Sequence, residues 1–194
     1  MVLGFDLDGV IVDSPQKVCQ YVNDRLDLNL SMDDFKTYCM EDALPPKYKW
    51  IIEAAFRDSA LWKQVKLIDG AYDIIQRLWD EGYEIYFITS SLPENLKKKI
   101  GHLARNLSFM PYDYVWKHTI NTQCKQMIKV DILVDDALHN LIGERNYFSI
   151  CMDMAYNQTN AVIPNFTRAK DWNEIYQKIH MVEKLIKESD EWED

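Results

Sequence analysis

A chain of 194 residues, 47% hydrophobic and 27% charged, has the composition of a folded domain. At that length it can bury about 70% of its unfolded surface without a disulfide or metal staple, and disorder, collagen-like repeats and a whole-chain coiled coil are excluded. The net charge of −9 speaks against a broad basic face for duplex nucleic acid. Small anionic substrates remain open, because a local cluster or a metal ion overrides the global sign.

In chain order, Val2–Asp6 reads as a strand that begins almost at residue one. From Asp13 to about Lys66 no strand pattern follows. Helical stretches at Pro15–Leu28 and Lys47–Arg57, joined through Leu44-Pro45-Pro46, read as a subdomain inserted after the first strand. The predicted division is a core of residues 1–13 and 67–194 with a helical cap at 14–66. Ala71, Ile74, Ile75, Leu78 and Trp79 fall at helical spacing, with Asp69 as the expected N-cap and Gly82 past the C-terminus. Tyr83–Thr89 is the second strand, Leu92–Leu107 a helix, Tyr112–Trp116 the third strand and Asp131–Val134 the fourth. Ala137–Gly143 is a further helix and Tyr147–Cys151 the fifth strand. A last helix spans about Asp171–Lys187, with Trp172, Ile175, Ile179, Val182 and Ile186 on one stripe, before a solvated acidic tail, Glu188–Asp194. Strand–helix alternation of this kind implies an α/β fold with a parallel sheet covered on both faces.

No apolar run approaches membrane-spanning length, and the N-terminus has no basic region of the secretory kind, so a cytoplasmic protein with no membrane partner is expected. Cys19, Cys39, Cys124 and Cys151 form no CxxC pair and read as small buried hydrophobes rather than bridges or zinc ligands. His102, His118, His139 and His180 lack metal-ligand spacing and read as surface or structural. No GxGxxG or GxxxxGK[ST] occurs, so dinucleotide and P-loop readings have no support.

The chemistry sits at strand ends. The first strand closes on Phe5-Asp6-Leu7-Asp8-Gly9-Val10, the second on Ile88-Thr89-Ser90-Ser91 and the fourth on Leu133-Val134-Asp135-Asp136. In an open α/β sheet, ligands bind at the carboxyl ends of the strands where strand order reverses. One acid there is an ordinary cap or turn residue. Several together repel one another and usually persist because a cation binds, and Mg2+ suits hard oxygen ligands of this kind.

Asp6-Leu7-Asp8-Gly9-Val10 after an N-terminal strand resembles the first motif of the haloacid dehalogenase (HAD) superfamily of phosphatases. Thr89 resembles its second motif, Lys125 its third and Asp135-Asp136 its fourth. The resemblance implies a Rossmann-like doubly wound parallel sheet with a small cap over the site. Within that superfamily the chain looks most like the 5′(3′)-deoxyribonucleotidase family. The segments that carry this are Asp69-Gly70-Ala71, Phe87-Ile88-Thr89-Ser90 and Lys125 followed by Asp131-Ile132-Leu133-Val134-Asp135-Asp136. Two positions depart from the family pattern: Cys124 stands where Asp is common and Ser91 where Pro is common.

The resemblance implies that Asp6 attacks phosphorus and that Asp8 protonates the leaving oxygen and then activates water. It implies Mg2+ held by the Asp6 carboxylate, the Asp8 main-chain carbonyl and Asp136, with Asp135 behind them. Thr89, Ser90 and Lys125 would bind phosphate oxygens, with Lys117, Lys129 and Lys97–Lys99 as rivals for the lysine role. Both Asp6 and Asp8 can serve only if the chain bends after Asp6, and Gly9 can help it do so. Trp62, Trp50 and Phe56 are candidates to stack on a nucleobase, or else form the cap's own small core. Asn157 reads as a loop residue.

The expected partner is a small phosphomonoester, foremost a (deoxy)nucleoside monophosphate. Alternatives are a phosphatase or phosphomutase acting on a sugar phosphate, since Phe5–Ser14 also resembles the start of β-phosphoglucomutase-like enzymes, or a non-catalytic binding module. The oligomeric state is left open, a homodimer included.

Overall fold

Strand residues of alternating face build the core of this computed structural model, which describes residues 1–190. Leu3 and Phe5 of β1 (Val2–Phe5), Ile85 and Phe87 of β2 (Glu84–Thr89), and Ile132 and Val134 of β4 (Ile132–Asp135) join one large apolar cluster. Their neighbours Ile88 and Leu133 join a smaller cluster with Val130, Leu141, Tyr147 and Cys151, as a period of two requires when both faces are covered. With β3 (Thr119–Asn121), β5 (Phe148–Met152) and β6 (Phe166–Ala169) the strands form one six-stranded sheet of order β3-β2-β1-β4-β5-β6, every pair parallel. The order reverses between β1 and β4, so the loops that leave these two strands face a common crevice.

Helices α1 (Ser14–Leu26), α2 (Trp50–Arg57) and α3 (Ser59–Trp62) lie between β1 and α4 (Ala71–Asp80), together with short 3-10 turns at Met32–Asp34, Met40–Ala43 and Pro46–Tyr48. This insert leaves and rejoins the core through paired main chain. The Asp13 N–H donates to the Lys66 carbonyl and the Ile68 N–H to the Ile11 carbonyl, both at 2.9 Å. Next come α5 (Pro93–Asn106), α6 (Tyr112–Lys117), α7 (Leu138–Leu141) and α8 (Trp172–Asp190). Buried Trp172 of α8 packs on Phe5 at 5.3 Å between ring centroids and donates its indole N–H to the Val10 carbonyl at 2.9 Å, tying the last helix to the loop after β1. Among the described residues, no helix is long and apolar enough to cross a membrane.

Four expectations are corrected. Tyr112–Trp116 is not a strand but most of α6, and the strand is the next segment, Thr119–Asn121. Its aromatics pack across helical turns, with Tyr114 stacked on His118 at 3.7 Å and edge-on to Trp79 at 4.5 Å. Asp69 does not cap α4; Gly70 does, at φ 83°, where a Cβ would also press on Trp172 at 3.2 Å. Gly82, at φ 86°, does follow the end of α4. Strand β6, with half-buried residues and no apolar run, carries little signal in the sequence. The last helix continues through Asp190, and residues 191–194 of the expected acidic tail lie outside the described residues. Of the four cysteines, all free, Cys19 and Cys151 are buried as expected while Cys39 and Cys124 are exposed.

Candidate active site

The chain turns immediately after β1. The Asp6 N–H still donates across the sheet to the Val134 carbonyl at 2.9 Å, and the Leu7 carbonyl then gathers the N–H groups of Ile11 at 2.9 Å and Val12 at 2.8 Å. Gly9 makes the turn at φ 76°, and a Cβ there would stand 2.5 Å from Asp136 Oδ2. Glycine is therefore required twice, for its backbone and for its missing side chain. The turn separates the two motif carboxylates: Asp6 faces the end of β4, while Asp8 receives the Ser14 hydroxyl at 2.6 Å and the ammonium of Lys99.

Lys125, in the 3-10 turn Lys125–Met127, is 2% exposed and spans Asp6 Oδ1 at 2.6 Å and Asp135 Oδ2 at 2.7 Å. Burial pulls its ammonium down, but these two carboxylates outweigh it and hold the charge well above the usual lysine range. Asp135 also accepts the Ala137 N–H at 2.8 Å and the Asn140 amide at 3.1 and 3.2 Å. Asp136 receives the Tyr156 hydroxyl, and its carbonyl takes a 2.7 Å bond from buried Asn157. Arg168 of β6 supports Asn157 in turn and pairs with Asp153 at 2.5 Å.

Oxygens of Asp6, Asp135 and Asp136 lie within 4.8 Å of one another, all three residues buried. With Asp8, four carboxylates face the two ammoniums of Lys125 and Lys99, which leaves two negative charges and a donor set of hard oxygens. Burial pushes the Asp6 carboxyl up to about 7, with Lys125 opposing and Asp135 and Asp8 adding to the shift. Burial, then Asp6 and Asp135, push Asp136 up as well. This arrangement fits one divalent cation.

Two chambers meet over Asp8. One, of 230 Å3, reaches Asp136, Tyr156 and Ser14; the other, of 350 Å3, reaches Ser90, Lys99 and Trp62. Tyr38, Glu41, Ile52 and Phe56 of the insert line both. The insert closes on the core through Arg57–Glu94 at 2.5 Å, the Asn95 amide on the Phe56 carbonyl at 2.7 Å, and Tyr38 against His139 at 4.9 Å.

The structure thus brings Asp6, Asp8, Asp135, Asp136, Thr89, Ser90 and Lys125 to one crevice. Thr89 is fully buried, and Ser90 donates its hydroxyl to the Thr122 carbonyl at 2.6 Å. Of the rival lysines, Lys97, Lys98, Lys117 and Lys129 are exposed. Buried Lys99 reaches the site, 3.4 Å from Thr89 Oγ1 and 4.8 Å over the Trp62 ring. Phe56 lines both chambers, Trp62 only the second and at 3% exposure, while Trp50 is 62% exposed and lines neither. Ser14, Tyr38, Asn140 and Tyr156 carry no signal in the sequence and Lys99 only as one of the rival lysines, while Asn157, expected in a loop, ends the 3-10 turn Ala155–Asn157 and braces Asp136. No spacing marks these residues, because they arrive from helices and turns whose approach is set by packing.

A family model described as 5′ nucleotidase, deoxy (pyrimidine), cytosolic type C protein matches residues 1–186. The chain belongs to this family. It is 27% identical over 182 residues to the 5′(3′)-deoxyribonucleotidase of Bacillus subtilis, covering 92% of this chain and 98% of that one. It is 23% identical over 177 residues to a putative 5′(3′)-deoxyribonucleotidase of Staphylococcus aureus, covering 90% and 93%. Its fold matches that of a HAD family hydrolase from Deinococcus radiodurans solved with bound phosphate and sodium, with a TM-score of 0.61 at 14% identity over 93% of this chain and 95% of the other. A haloacid dehalogenase-like hydrolase from Xanthomonas campestris matches with a TM-score of 0.58 at 11% identity, over 94% and 95%. The protein is a phosphomonoesterase hydrolase with the fold of HAD hydrolases.

Proposed function

We propose that the enzyme is a Mg2+-dependent nucleotidase that hydrolyses (deoxy)nucleoside monophosphates through an aspartyl-phosphate on Asp6. The observation that carries this reading is the pairing of buried Asp6 with Lys125 at 2.6 Å, beside Asp135 and Asp136, with Asp8 and Asp136 in the lining of the two-chambered cavity. Asp6, Asp136 and the Asp8 main-chain carbonyl would hold Mg2+, which when bound neutralises charge on the phosphoryl oxygens. Asp135, saturated by Lys125, Asn140 and the Ala137 N–H, orients its neighbours rather than the substrate.

In the first half-reaction, the Asp6 carboxylate attacks phosphorus, the bond to the leaving oxygen breaks, and Asp8 gives that oxygen its proton. In the second, water attacks the aspartyl-phosphate, Asp8 takes the proton of the water, and phosphate leaves as Asp6 is regenerated. Lys125, Thr89 and Ser90 hold the non-bridging oxygens throughout. Residues 14–66 act as the cap, with Phe56 as the principal apolar wall for the nucleoside and Trp62 behind it. The unpaired cysteines support a cytoplasmic setting, where thiols stay reduced.

The test is phosphate release, with Mg2+, from 5′- and 3′-ribo- and deoxyribonucleotides, sugar phosphates and an aryl phosphate, against EDTA and Asp6→Asn as blanks. Preference for deoxynucleoside monophosphates is the expected result. Activity confined to sugar or aryl phosphates would remove the nucleotidase assignment, and release by Asp6→Asn at the wild-type rate would remove the mechanism.

A further inference from the structure

The cavity wall carries an acid to which this chemistry gives no task. Glu41, in the turn Met40–Ala43 of the insert, is half-buried and lines both chambers. Its neighbours Asp42 and Glu53 are engaged. Asp42 accepts from Lys49 Nζ at 3.0 Å and from the Thr37 hydroxyl at 3.1 Å, and Glu53 pairs with Arg57 at 2.9 Å. The Glu41 carboxylate has no hydrogen-bond or ion-pair partner among the described residues, although its main-chain carbonyl accepts from the Leu44 N–H at 3.2 Å. Its companions in the wall include Met40, Ile52 and Phe56, which offer a carboxylate nothing.

A leaving group that fills the chambers strips water from Glu41. The loss is made good only by an N–H or O–H donor on that leaving group. A second anionic group would meet a like charge at the same place, with Lys99 and Lys125 both already paired to carboxylates. We infer that Glu41 is a charge filter on the leaving group: it admits monoesters of neutral, donor-bearing alcohols, nucleosides among them, and rejects esters that carry a further phosphate or carboxylate. The inference rests on Asp6 as the reacting carboxylate, but not on the substrate being a nucleotide.

The experiment compares kcat/KM for a monophosphate with that for a bisphosphate of the same alcohol, in wild type, Glu41→Gln and Glu41→Lys. The pairs are thymidine 5′-monophosphate with thymidine 3′,5′-bisphosphate, and fructose 6-phosphate with fructose 1,6-bisphosphate. Each ratio is taken within one preparation, so the folded fraction cancels. Removing one charge from a partly hydrated cavity is expected to lower the monophosphate preference about tenfold in Glu41→Gln, with a larger fall in Glu41→Lys. A fall of less than about threefold in both variants overturns the filter. If wild type turns over only the sugar pair, the nucleotidase reading fails while the filter is still read on that pair. If wild type turns over neither, the filter falls together with the mechanism beneath it.

Discussion

The strand ends of the core and the wall of the insert face the same cavity but are held in opposite ways. On the core side, buried groups are satisfied by buried partners: Asp135 by Lys125, Asn140 and the Ala137 N–H, and the Asp136 carbonyl by Asn157. On the insert side, the charged groups that are paired are paired in the open, such as Arg57 with Glu53 and Glu94 at side-chain exposures of 51%, 68% and 49%. Charges fixed out of water stabilise a developing transition state most, so the preorganised side is the one expected to do chemistry. The looser side can change residues, and with them the substrate, without disturbing it.

Paired lysine and arginine substitutions test that contrast most strongly. Lys125→Met leaves Asp6 and Asp135 buried without their cation. Breaking a buried pair in this way costs about 3–5 kcal/mol, and loss of one donor to the phosphoryl oxygens lowers kcat roughly 100-fold or more. Arg57→Met breaks two exposed pairs on the insert and is expected to cost less than about 1 kcal/mol. Chemical denaturation of both variants is the measurement. Equal losses would mean that the two sides are held alike.

The same contrast explains what could be read in advance. Asp6, Thr89 and Asp135 stand at the ends of apolar runs, and a parallel sheet brings the carboxyl ends of neighbouring strands together whatever the helices do. Topology therefore converted strand-end spacing into a site. Tyr112–Trp116 misled because five residues rich in aromatics and valine suit either a strand or a buried helix, and packing on Trp79 and His118 decided for the helix. Lys99 was legible only as one of three consecutive lysines. Which of the three is buried depends on the rotation of α5 against the insert, where Asn95, one turn earlier, holds the Phe56 carbonyl. Trp50 and Trp62 look equivalent in sequence, and only the turns of the insert make one exposed and the other buried.

Acidity sharpens the comparison from another side. Burial raises the Asp6 carboxyl from 3.8 to about 7, so without a divalent cation the folded state binds a proton that the unfolded chain has lost. Stability from this group is present at low pH and is lost as pH rises from about 4 to 7. Asp42 of the insert has the opposite sign: the bond from Lys49 holds its carboxyl below the usual value, and its contribution is lost as pH falls. A cation bound at Asp6 and Asp136 favours the ionised carboxyls, so the rise in Tm on adding Mg2+ in place of EDTA is expected to grow from pH 5 to pH 8. Asp6→Asn should flatten that growth, whereas Asp42→Asn should leave it intact. A Mg2+ effect independent of pH would remove Asp6 from the metal site.

The smallest effects belong to the wall itself, where Trp62 and Trp50 separate lining from mere presence in the insert. Trp62→Phe keeps an aromatic ring beside Lys99 but loses the indole bond to the Phe56 carbonyl, 2.9 Å long, which Asn95 continues to serve. Loss of one such bond, of about 1 kcal/mol, should raise KM for a nucleoside monophosphate several-fold by loosening Phe56, with kcat little changed. That split is the mark of binding shared equally by ground and transition states. Trp50→Ala should change neither constant, because the side chain is exposed and lines neither chamber. A fall in kcat as large as the rise in KM for Trp62→Phe would carry the influence of the wall through Lys99 to Asp8, and the insert would then belong to the chemistry as well as to the choice of substrate.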